Sequence, residues 1–341
     1  MIRFECDYSE GAHPAIIEKL YETNMLQTVG YGVDEFCDKA RELIKKVCEN
    51  DDIFVHFLVG GTQTNSTFID SVLKSYQGVI SASTGHIAVH ESGTIEASGH
   101  KVLTIPSDDG KITAEAIDEL YCEHFENSTH EHEVQPGMVY FSFPTENGTI
   151  YSMAELEAIS AVCKKRSLPL FIDGARMGYG LMSEKNDLTL NDFTKLCDAF
   201  YIGGTKQGFL FGEALVITNA ALNTDFRYMI KQHGGMLAKG RLLGVQYLAM
   251  LETDLYFTLA KKADEQAMRI RNAFLEKGYK LRYDSYTNQQ FPIVENSVLE
   301  RLSEKYAFSV WGKHSDSETV VRFCTSWATR DEWVDELISD I

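Results

Sequence analysis

The chain has 341 residues, of which 44% are hydrophobic, enough for a large domain and a smaller one with buried cores. Its formal net charge of −18 argues against binding to nucleic acid, which needs a basic face. No apolar run approaches the roughly 20 residues of a membrane helix, and no apolar signal-peptide core is visible, so we expect a cytoplasmic protein that binds no membrane.

Helices and strands alternate from the first third of the chain onward. Residues 33–48 have helical periodicity, and the apolar, β-branched run at 53–59 predicts a strand. The glycine- and threonine-rich run at 60–65 predicts a turn. A helix over 66–76 and a short strand at 78–81 follow.

The middle of the chain continues this alternation. Strands are predicted at 139–143, 168–172 and 199–202. The pattern Ser152-x-x-Glu155 is a capping box and predicts a helix that runs to about residue 165. Strands that alternate with helices indicate βαβ units, and therefore an α/β fold with a mostly parallel central sheet.

The last third of the chain has a different order of predicted elements. Residues 240–276 are helical, with a break near 253–254, and beyond Gly278 the pattern runs strand, helix (298–306), strand (320–325), helix. Thr329, three residues before a glutamate, is predicted to cap the last helix. This tail indicates a smaller α+β domain.

Three polar clusters follow predicted strands, and ligands of open α/β sheets bind at the carboxyl ends of the strands. The first is 60–65, where backbone N–H groups and threonine hydroxyls ahead of a helix can cradle a phosphate. It matches neither G-x-x-x-x-G-K-[ST] nor G-x-G-x-x-G, which argues against the usual nucleotide motifs, and a plain tight turn is the alternative.

The second cluster begins at Asp173, directly after an apolar strand. A carboxylate partly out of water is costly unless a cation accompanies it. A protonated pyridine nitrogen is such a cation, and this contact makes a pyridine cofactor a better electron sink. The alternative is that Asp173 caps a helix or pairs with Arg176.

The third cluster places Lys206 in the glycine-rich run 203–208. Flanking glycines leave room for a bulky adduct, and nearby charge or desolvation favours imine formation by a lysine. A solvated turn lysine is the alternative. In this order, however, a phosphate loop, a strand-end aspartate and a strand-end lysine together indicate a pyridoxal-phosphate enzyme in which Lys206 carries the cofactor as a Schiff base.

Metal binding is a weaker interpretation. The pattern His86-x-x-x-His90-Glu91 differs from the zinc motif H-E-x-x-H and has no evident third ligand, so we expect no metal. The seven cysteines are scattered and never spaced as C-x-x-C, which is typical of reduced thiols.

Seven segments carry a resemblance to a known family, at 7–9, 30–34, 61–65, 86–91, 173–176, 204–208 and 321–327. Nearly end to end, the chain resembles the low-specificity L-threonine aldolase branch of the β-eliminating lyases, which are fold-type I enzymes that use pyridoxal phosphate. The segments at 173–176 and 204–208 are the most specific.

The resemblance implies a role for each matching residue. Lys206 forms the Schiff base, Asp173 bonds the pyridine nitrogen and His86 stacks on the ring. The remaining cofactor contacts come from Gly61, Thr62 and Gln63 at the phosphate, and from Thr205 and Arg176. An amino-acid substrate is bound by Ser9 and Arg322 at its carboxylate, with Arg176 and Tyr31 close to it.

The resemblance also implies an architecture. We expect an N-terminal segment (1–14) that contributes to the active site, a large cofactor-binding domain (15–245) and a small C-terminal domain (246–341). Members of the family form homodimers or homotetramers with shared active sites. Tyr31 and the segment 239–241 are therefore candidates for contributions from a neighbouring subunit.

The implied reaction cleaves L-threonine, L-allo-threonine or a related 2-amino-3-hydroxy acid into glycine and an aldehyde. Residues 144–148 match the branch that reads Thr-Glu-x-Gly, so a second active-site histidine is not available there. The group that deprotonates the β-hydroxyl stays open among His86 through a water, Glu91, Glu146 and a water held by the phosphate.

Several other functions compete with aldol cleavage. With the same cofactor these are β-elimination, decarboxylation, racemisation and transamination. A nucleotide-dependent oxidoreductase would leave Lys206 and Asp173 unexplained, and a non-catalytic binding module needs no strand-end lysine.

Overall fold

The computed structural model describes all 341 residues, which form fourteen strands and fourteen α-helices. The strands are β1 (Ile2–Arg3), β2 (Phe54–Leu58), β3 (Gln77–Ala82), β4 (Lys101–Ile105), β5 (Gln135–Ser142), β6 (Leu170–Asp173), β7 (Ala199–Gly203), β8 (Glu213–Ile217), β9 (Lys280–Leu281), β10 (Gln289–Gln290), β11 (Pro292–Glu295), β12 (Tyr306–Ala307), β13 (Ser309–Lys313) and β14 (Glu318–Cys324). The helices are α1 (Pro14–Thr23), α2 (Glu35–Cys48), α3 (Gly61–Val72), α4 (His86–Val89), α5 (Thr94–Ala97), α6 (Ala114–Glu126), α7 (Met153–Arg166), α8 (Met177–Met182), α9 (Leu190–Leu196), α10 (Phe226–Gln232), α11 (Arg241–Leu251), α12 (Leu255–Glu276), α13 (Asn296–Ser303) and α14 (Asp331–Asp340).

The central sheet has seven strands in the order β2-β8-β7-β6-β5-β3-β4. Strands β3 to β7 run parallel to their neighbours in the sheet, and only β8 is reversed against β2 and β7. The parallel strands point their carboxyl ends to one edge, where helices and loops follow. The predicted α/β class with a mostly parallel sheet is confirmed.

Apolar side chains cover both faces of this sheet. Because neighbouring residues of a strand point to opposite faces, Ile172 and Phe200 join a core on one side while Phe171 and Tyr201 join a second core on the other. Strands buried on both faces require continuous apolar sequence, which is the pattern of β6 and β7.

A second, antiparallel sheet is built from β9, β10, β11, β13 and β14. A separate core packs it against helices, with Phe4, Phe274 and Phe323 at its centre. Phe4 belongs to the N-terminal segment, which adds β1 beside β12. The small antiparallel unit is confirmed, whereas the domain limits 1–14, 15–245 and 246–341 stay a prediction.

Two helix starts differ from their predictions. The run 60–65 is not a turn ahead of a helix, because α3 begins at Gly61: Gly60 is extended, and Thr64 N–H donates to Gly60 O (3.0 Å). The predicted cap at Thr329 is also wrong. Its hydroxyl accepts the Ser326 N–H (2.8 Å), and Arg330 precedes α14 without a side-chain cap.

Other local predictions are confirmed. Ser152 and Glu155 form both hydrogen bonds of a capping box at the start of α7. The break in the long helical region falls at Asp254, whose positive φ of 58° separates α11 from α12. No helix is both long enough and apolar enough to cross a membrane.

Candidate active site

A cavity of about 320 Å³ lies at the carboxyl ends of β5, β6 and β7, beside the start of α3. Its walls bring together residues that are far apart in sequence: Gly61, Thr62, His86, Glu146, Asp173, Arg176 and Lys206. A second cavity of about 590 Å³ shares His86, Arg176 and Lys206 with the first and extends to Arg322 in the small sheet. A larger hollow of about 680 Å³ contains none of these residues.

Asp173 is buried at the end of β6. Its carboxylate accepts hydrogen bonds from Asn65 Nδ2 (2.9 Å), the Tyr140 hydroxyl (2.6 Å), the Tyr201 hydroxyl and the Ala175 N–H (3.0 Å). Burial alone would raise the pKa of Asp173, but the charge of His86 and these side-chain donors hold it below its ordinary value. The residue is therefore a buried anion.

His86 begins the short helix α4 and is tied to Glu91. The imidazole Nδ1 lies 2.7 Å from Glu91 Oε1, which also accepts Asn65 Nδ2 (2.8 Å). Burial opposes protonation, yet the Glu91 hydrogen bond and the charges of Asp173 and Glu91 outweigh it and raise the pKa of His86. Asn65 therefore links the His86–Glu91 pair to the buried Asp173.

The first turn of α3 supplies unpaired donors. The N–H groups of Gly61, Thr62 and Gln63 precede the first intrahelical hydrogen bond of this twelve-residue helix, and Gly60 offers no side-chain cap. The Gln63 side chain is occupied elsewhere, because it accepts the Val59 N–H (3.1 Å) and donates to His233 O (3.0 Å). Only the backbone of Gln63 is therefore available at this turn.

Lys206 lies in a 3-10 turn directly after β7. The preceding Gly204 is required there, because a Cβ would come within 2.6 Å of Gly212 O. Thr205 lines neither cavity, and its hydroxyl donates to Glu213 Oε1 (2.7 Å), while Glu213 Oε2 accepts the Gly204 N–H (3.0 Å). Burial raises the pKa of Glu213 to about 7, against the hydrogen bond from Thr205.

Arg176 is held by a carboxylate from the N-terminal segment. Its Nε and Nη2 donate to the two oxygens of Asp7, at 2.7 and 3.0 Å, in a bidentate pair. Burial would raise the pKa of Asp7, but the charges of Arg176 and Lys206 hold it below its ordinary value. Arg176 still lines both cavities.

Arg322 approaches the outer cavity from β14. Its guanidinium donates to Glu5 O (2.6 Å) and Gln289 Oε1 (3.1 Å) and stacks on the Trp311 ring at 5.1 Å. Ser9, predicted to help at the substrate carboxylate, is exposed, lies 3.2 Å from Cys6 Sγ through its hydroxyl, and lines neither cavity.

Tyr31 lies outside both cavities. It is exposed, has a positive φ of 63°, and Lys231 Nζ sits 5.3 Å from its ring centre. It lines the hollow of about 680 Å³ together with Arg227 and Tyr228. Within one subunit, Tyr31 is therefore not brought to the predicted site.

Sequence reasoning missed the partners of the charged residues. Tyr140 and Tyr201 were not singled out, although a tyrosine inside a buried strand needs a partner for its hydroxyl. Tyr140 is two residues before Ser142, which pairs with Asp173 across β5 and β6, so it faces the same side as that pair. Asp7 lies in the segment 7–9, but the resemblance gave it no role.

The cavity suits pyridoxal phosphate on three counts. Unpaired N–H groups at the start of α3 suit a phosphate, ionised Asp173 suits a protonated pyridine nitrogen, and Lys206 offers an amine in the same cavity. A side chain at position 61 would reach 2.9 Å from the Tyr201 hydroxyl and fill this space. Four donors occupy the roughly four lone-pair positions of Asp173, so a pyridine N–H would have to take the place of one of them, and Tyr201 is the only side-chain donor among them that lines the cavity.

Comparison with known proteins gives concordant matches. A family model described as "Beta-eliminating lyase" matches residues 6–297. The chain is 31% identical to a low specificity L-threonine aldolase of Pseudomonas sp. (strain NCIMB 10558) and 29% identical to one of Pseudomonas aeruginosa, each over 99% of this chain and 96% of the relative. It is 42% identical to the solved structure of a Leishmania major threonine aldolase, covering 99% of this chain and 98% of that one, with a TM-score of 0.96.

Proposed function

The chain belongs to the β-eliminating lyase family, and from that premise we propose that it is a pyridoxal-phosphate-dependent aldolase. It cleaves L-threonine, L-allo-threonine or a related 2-amino-3-hydroxy acid into glycine and an aldehyde. The relatives named above are threonine aldolases, which favours this reaction over β-elimination, decarboxylation, racemisation and transamination. The observation that carries the proposal is the single cavity that holds Lys206, Asp173 and His86.

The lining of the cavity supports an assignment of the residues that would hold the cofactor. The N–H groups of Gly61, Thr62 and Gln63 would bind the phosphate, Asp173 would bond the pyridine nitrogen, and His86 would stack on the ring. Thr205 acts through the backbone turn that presents Lys206, since its hydroxyl is bonded to Glu213. When bound, pyridoxal phosphate supplies a carbonyl for imine formation and a π-system that accepts electrons from Cα.

The substrate is held by its carboxylate. Arg322, which shares the outer cavity with Lys206 and His86, binds it, and this fixes the orientation of the Cα–Cβ bond. Asp7 largely neutralises the charge of Arg176. Arg176 therefore contributes a weaker positive electrostatic potential and one remaining N–H donor near the substrate. Ser9 would reach the substrate only if the N-terminal segment moved, because Ser9 lines neither cavity.

A neighbouring subunit completes the site. We place Tyr31 and the segment 239–241 at an interface between copies in a homodimer or homotetramer, because Tyr31 is exposed and remote from its own cavity. We also assign the protein to the cytoplasm, which agrees with seven free cysteines in the structure. Its substrate is a small amino acid.

The test is a product assay on the purified protein. L-threonine and L-allo-threonine should each give acetaldehyde and glycine in equal amounts, and 2-oxobutyrate, the product of β-elimination from threonine, should not accumulate. The protein should show a visible absorption band that borohydride treatment removes, and Lys206→Ala should lack it while keeping the fold. A borohydride-reducible imine at another lysine of this cavity would overturn the assignment of Lys206. 2-Oxobutyrate and ammonia as the main products would show β-elimination and would overturn the proposed reaction.

A further inference from the structure

Glu146 is a buried carboxyl group in the wall shared by both cavities. It lies in the loop after β5, where its Oε1 accepts the His86 N–H (3.0 Å) and the Ser142 hydroxyl (2.6 Å). The other oxygen, Oε2, accepts no hydrogen bond from another residue and is not among the fully buried atoms that lack a partner. Glu146 therefore has one anchored oxygen and one oxygen without a partner from another residue, and its side chain lines the two cavities that Lys206 also lines.

The two neighbouring candidates for a base are less suited to it. Glu91 is fully buried; its Oε1 is bonded to Asn65 and His86, and its Oε2 is sealed in the protein. His86 uses Nδ1 for Glu91, and the pKa of its imidazole is raised, because the Glu91 bond and nearby carboxylates outweigh the effect of burial. A raised pKa keeps the imidazole protonated over a wider pH range, and a protonated imidazole cannot accept a proton.

The surroundings of Glu146 make it a stronger base than an ordinary carboxylate. Burial is the main cause that raises the pKa of Glu146, and the charge of Asp173 adds to it. The hydrogen bond from Ser142 and the charge of His86 act in the opposite direction. The cations Arg176 and Lys206 line the same cavity. A base works best when its pKa lies close to the working pH, and a raised value moves a carboxyl toward that range.

We propose that Glu146, through Oε2, accepts the β-hydroxyl proton of the substrate when the Cα–Cβ bond breaks. This inference rests on the proposed aldol cleavage. The O–H electron pair becomes the second bond of the aldehyde C=O, and the Cα–Cβ pair stays with the Cα fragment. That fragment takes up a proton and leaves as glycine, so the proton gained by Glu146 is balanced by one delivered to Cα.

The first test compares two reactions of the Glu146→Gln holoenzyme. Glutamine keeps the size and the Ser142 contact but cannot take a proton, so L-threonine cleavage should fall about a hundredfold or more. Exchange of the glycine α-proton should stay within about threefold of wild type, because it needs no β-hydroxyl base. Retained cleavage, or equal losses in both reactions with cofactor bound, would overturn the assignment. Wild-type protein that does not cleave threonine would instead refute the proposed function.

A second test does not depend on turnover. Infrared difference spectra of wild-type minus Glu146→Gln holoenzyme, without substrate, should contain a protonated-carboxyl band that titrates above the ordinary glutamate value of about 4.3. A band that vanishes at or below that value would contradict the inference.

A third test keeps the Glu146 carboxyl group, so it stays valid even if the Glu146→Gln substitution disturbs folding. Ser142→Ala removes a hydrogen bond that favours the carboxylate, so the pKa of Glu146 should rise and the acidic limb of the kcat/KM profile should move to higher pH. An unmoved acidic limb would contradict the inference.

Discussion

Asp173 remains charged in the protein interior because its neighbours replace the water that it lost. Two tyrosine hydroxyls, one amide and one backbone N–H surround its carboxylate. Each is a donor to a charged acceptor, the kind of hydrogen bond that contributes most. This arrangement fixes the negative charge where a pyridinium would need it, and the chain places no lysine or arginine directly on that carboxylate.

Replacing this charge should reduce catalysis and leave the fold largely intact. We expect Asp173→Asn to lower kcat for L-threonine by about a hundredfold or more, because a neutral amide cannot hold the proton on the pyridine nitrogen. Asp316→Asn, at a fully exposed aspartate of the small domain, is the matched control and should be neutral. The measurement is kcat with cofactor content determined by absorbance. Near-normal turnover with bound cofactor would rule out the charge as the source of catalysis.

Arg322 differs from Arg176 in how its charge is used. Arg176 has a buried carboxylate partner, whereas Arg322 donates only to neutral acceptors and stacks on Trp311. A guanidinium without an anionic partner, in the wall of the outer cavity, is the better binder for a substrate carboxylate.

Removing this guanidinium should weaken substrate binding. Arg322→Leu should raise KM for L-threonine about tenfold or more and also lower kcat, since a sheltered guanidinium–carboxylate pair both binds and orients. Arg269→Leu removes an exposed arginine of α12 and should leave both constants unchanged. Steady-state kinetics decide the matter. If KM did not change, Arg176 would be the carboxylate ligand.

At the scale of helices and strands, sequence patterns predicted those elements whose signals are local. The capping box of α7 needs only two residues three positions apart, and both hydrogen bonds are present. The start of α3 was missed because the run 60–65 has turn composition. What makes it helical is burial of Thr64 to Ile69 on the sheet, a tertiary effect that composition does not carry.

The same distinction applies to the candidate site. The convergence of Asp173 and Lys206 was predictable, because both follow parallel strands whose carboxyl ends share one edge. The tyrosines that stabilise Asp173 were not, because β5 and β7 flank β6 only through the strand order of the sheet. The pairing of Asp7 with Arg176 spans 169 positions in the sequence and has no local signal.

The α7 capping box gives a test at this scale. Ser152→Ala should lower the free energy of unfolding by about 1 kcal/mol, because it leaves the Glu155 N–H without its acceptor. Ser317→Ala, at an exposed serine between β13 and β14, should change it by no more than about 0.5 kcal/mol. Chemical denaturation of both variants and the wild type gives the comparison. Equal effects would mean that the capping box contributes nothing measurable.

For the whole molecule, the surface around Tyr31 is the feature that one chain does not explain. Large apolar side chains are exposed along the segment that leads to Tyr31, at Tyr21, Met25, Val29 and Tyr31 itself. Single exposed apolar residues are normal, whereas an interaction surface contains several of them side by side. An interface between copies would cover this run and would bring Tyr31 to the cavity of its neighbour, as the proposed shared site requires.

Mixing two defective variants tests whether the site is shared. Lys206→Ala lacks the cofactor lysine, and we expect Tyr31→Ala to lose most activity. In a mixed dimer, one site carries both defects and the other carries neither. Random pairing makes about half of all dimers mixed, so the mixture should recover about a quarter of wild-type activity.

Each variant is mixed with itself as the control, after the same dissociation and reassociation. If Tyr31 acts within its own subunit, every mixed dimer carries one defect in each site and no activity returns. A fully active Tyr31→Ala variant would remove this residue from the site altogether.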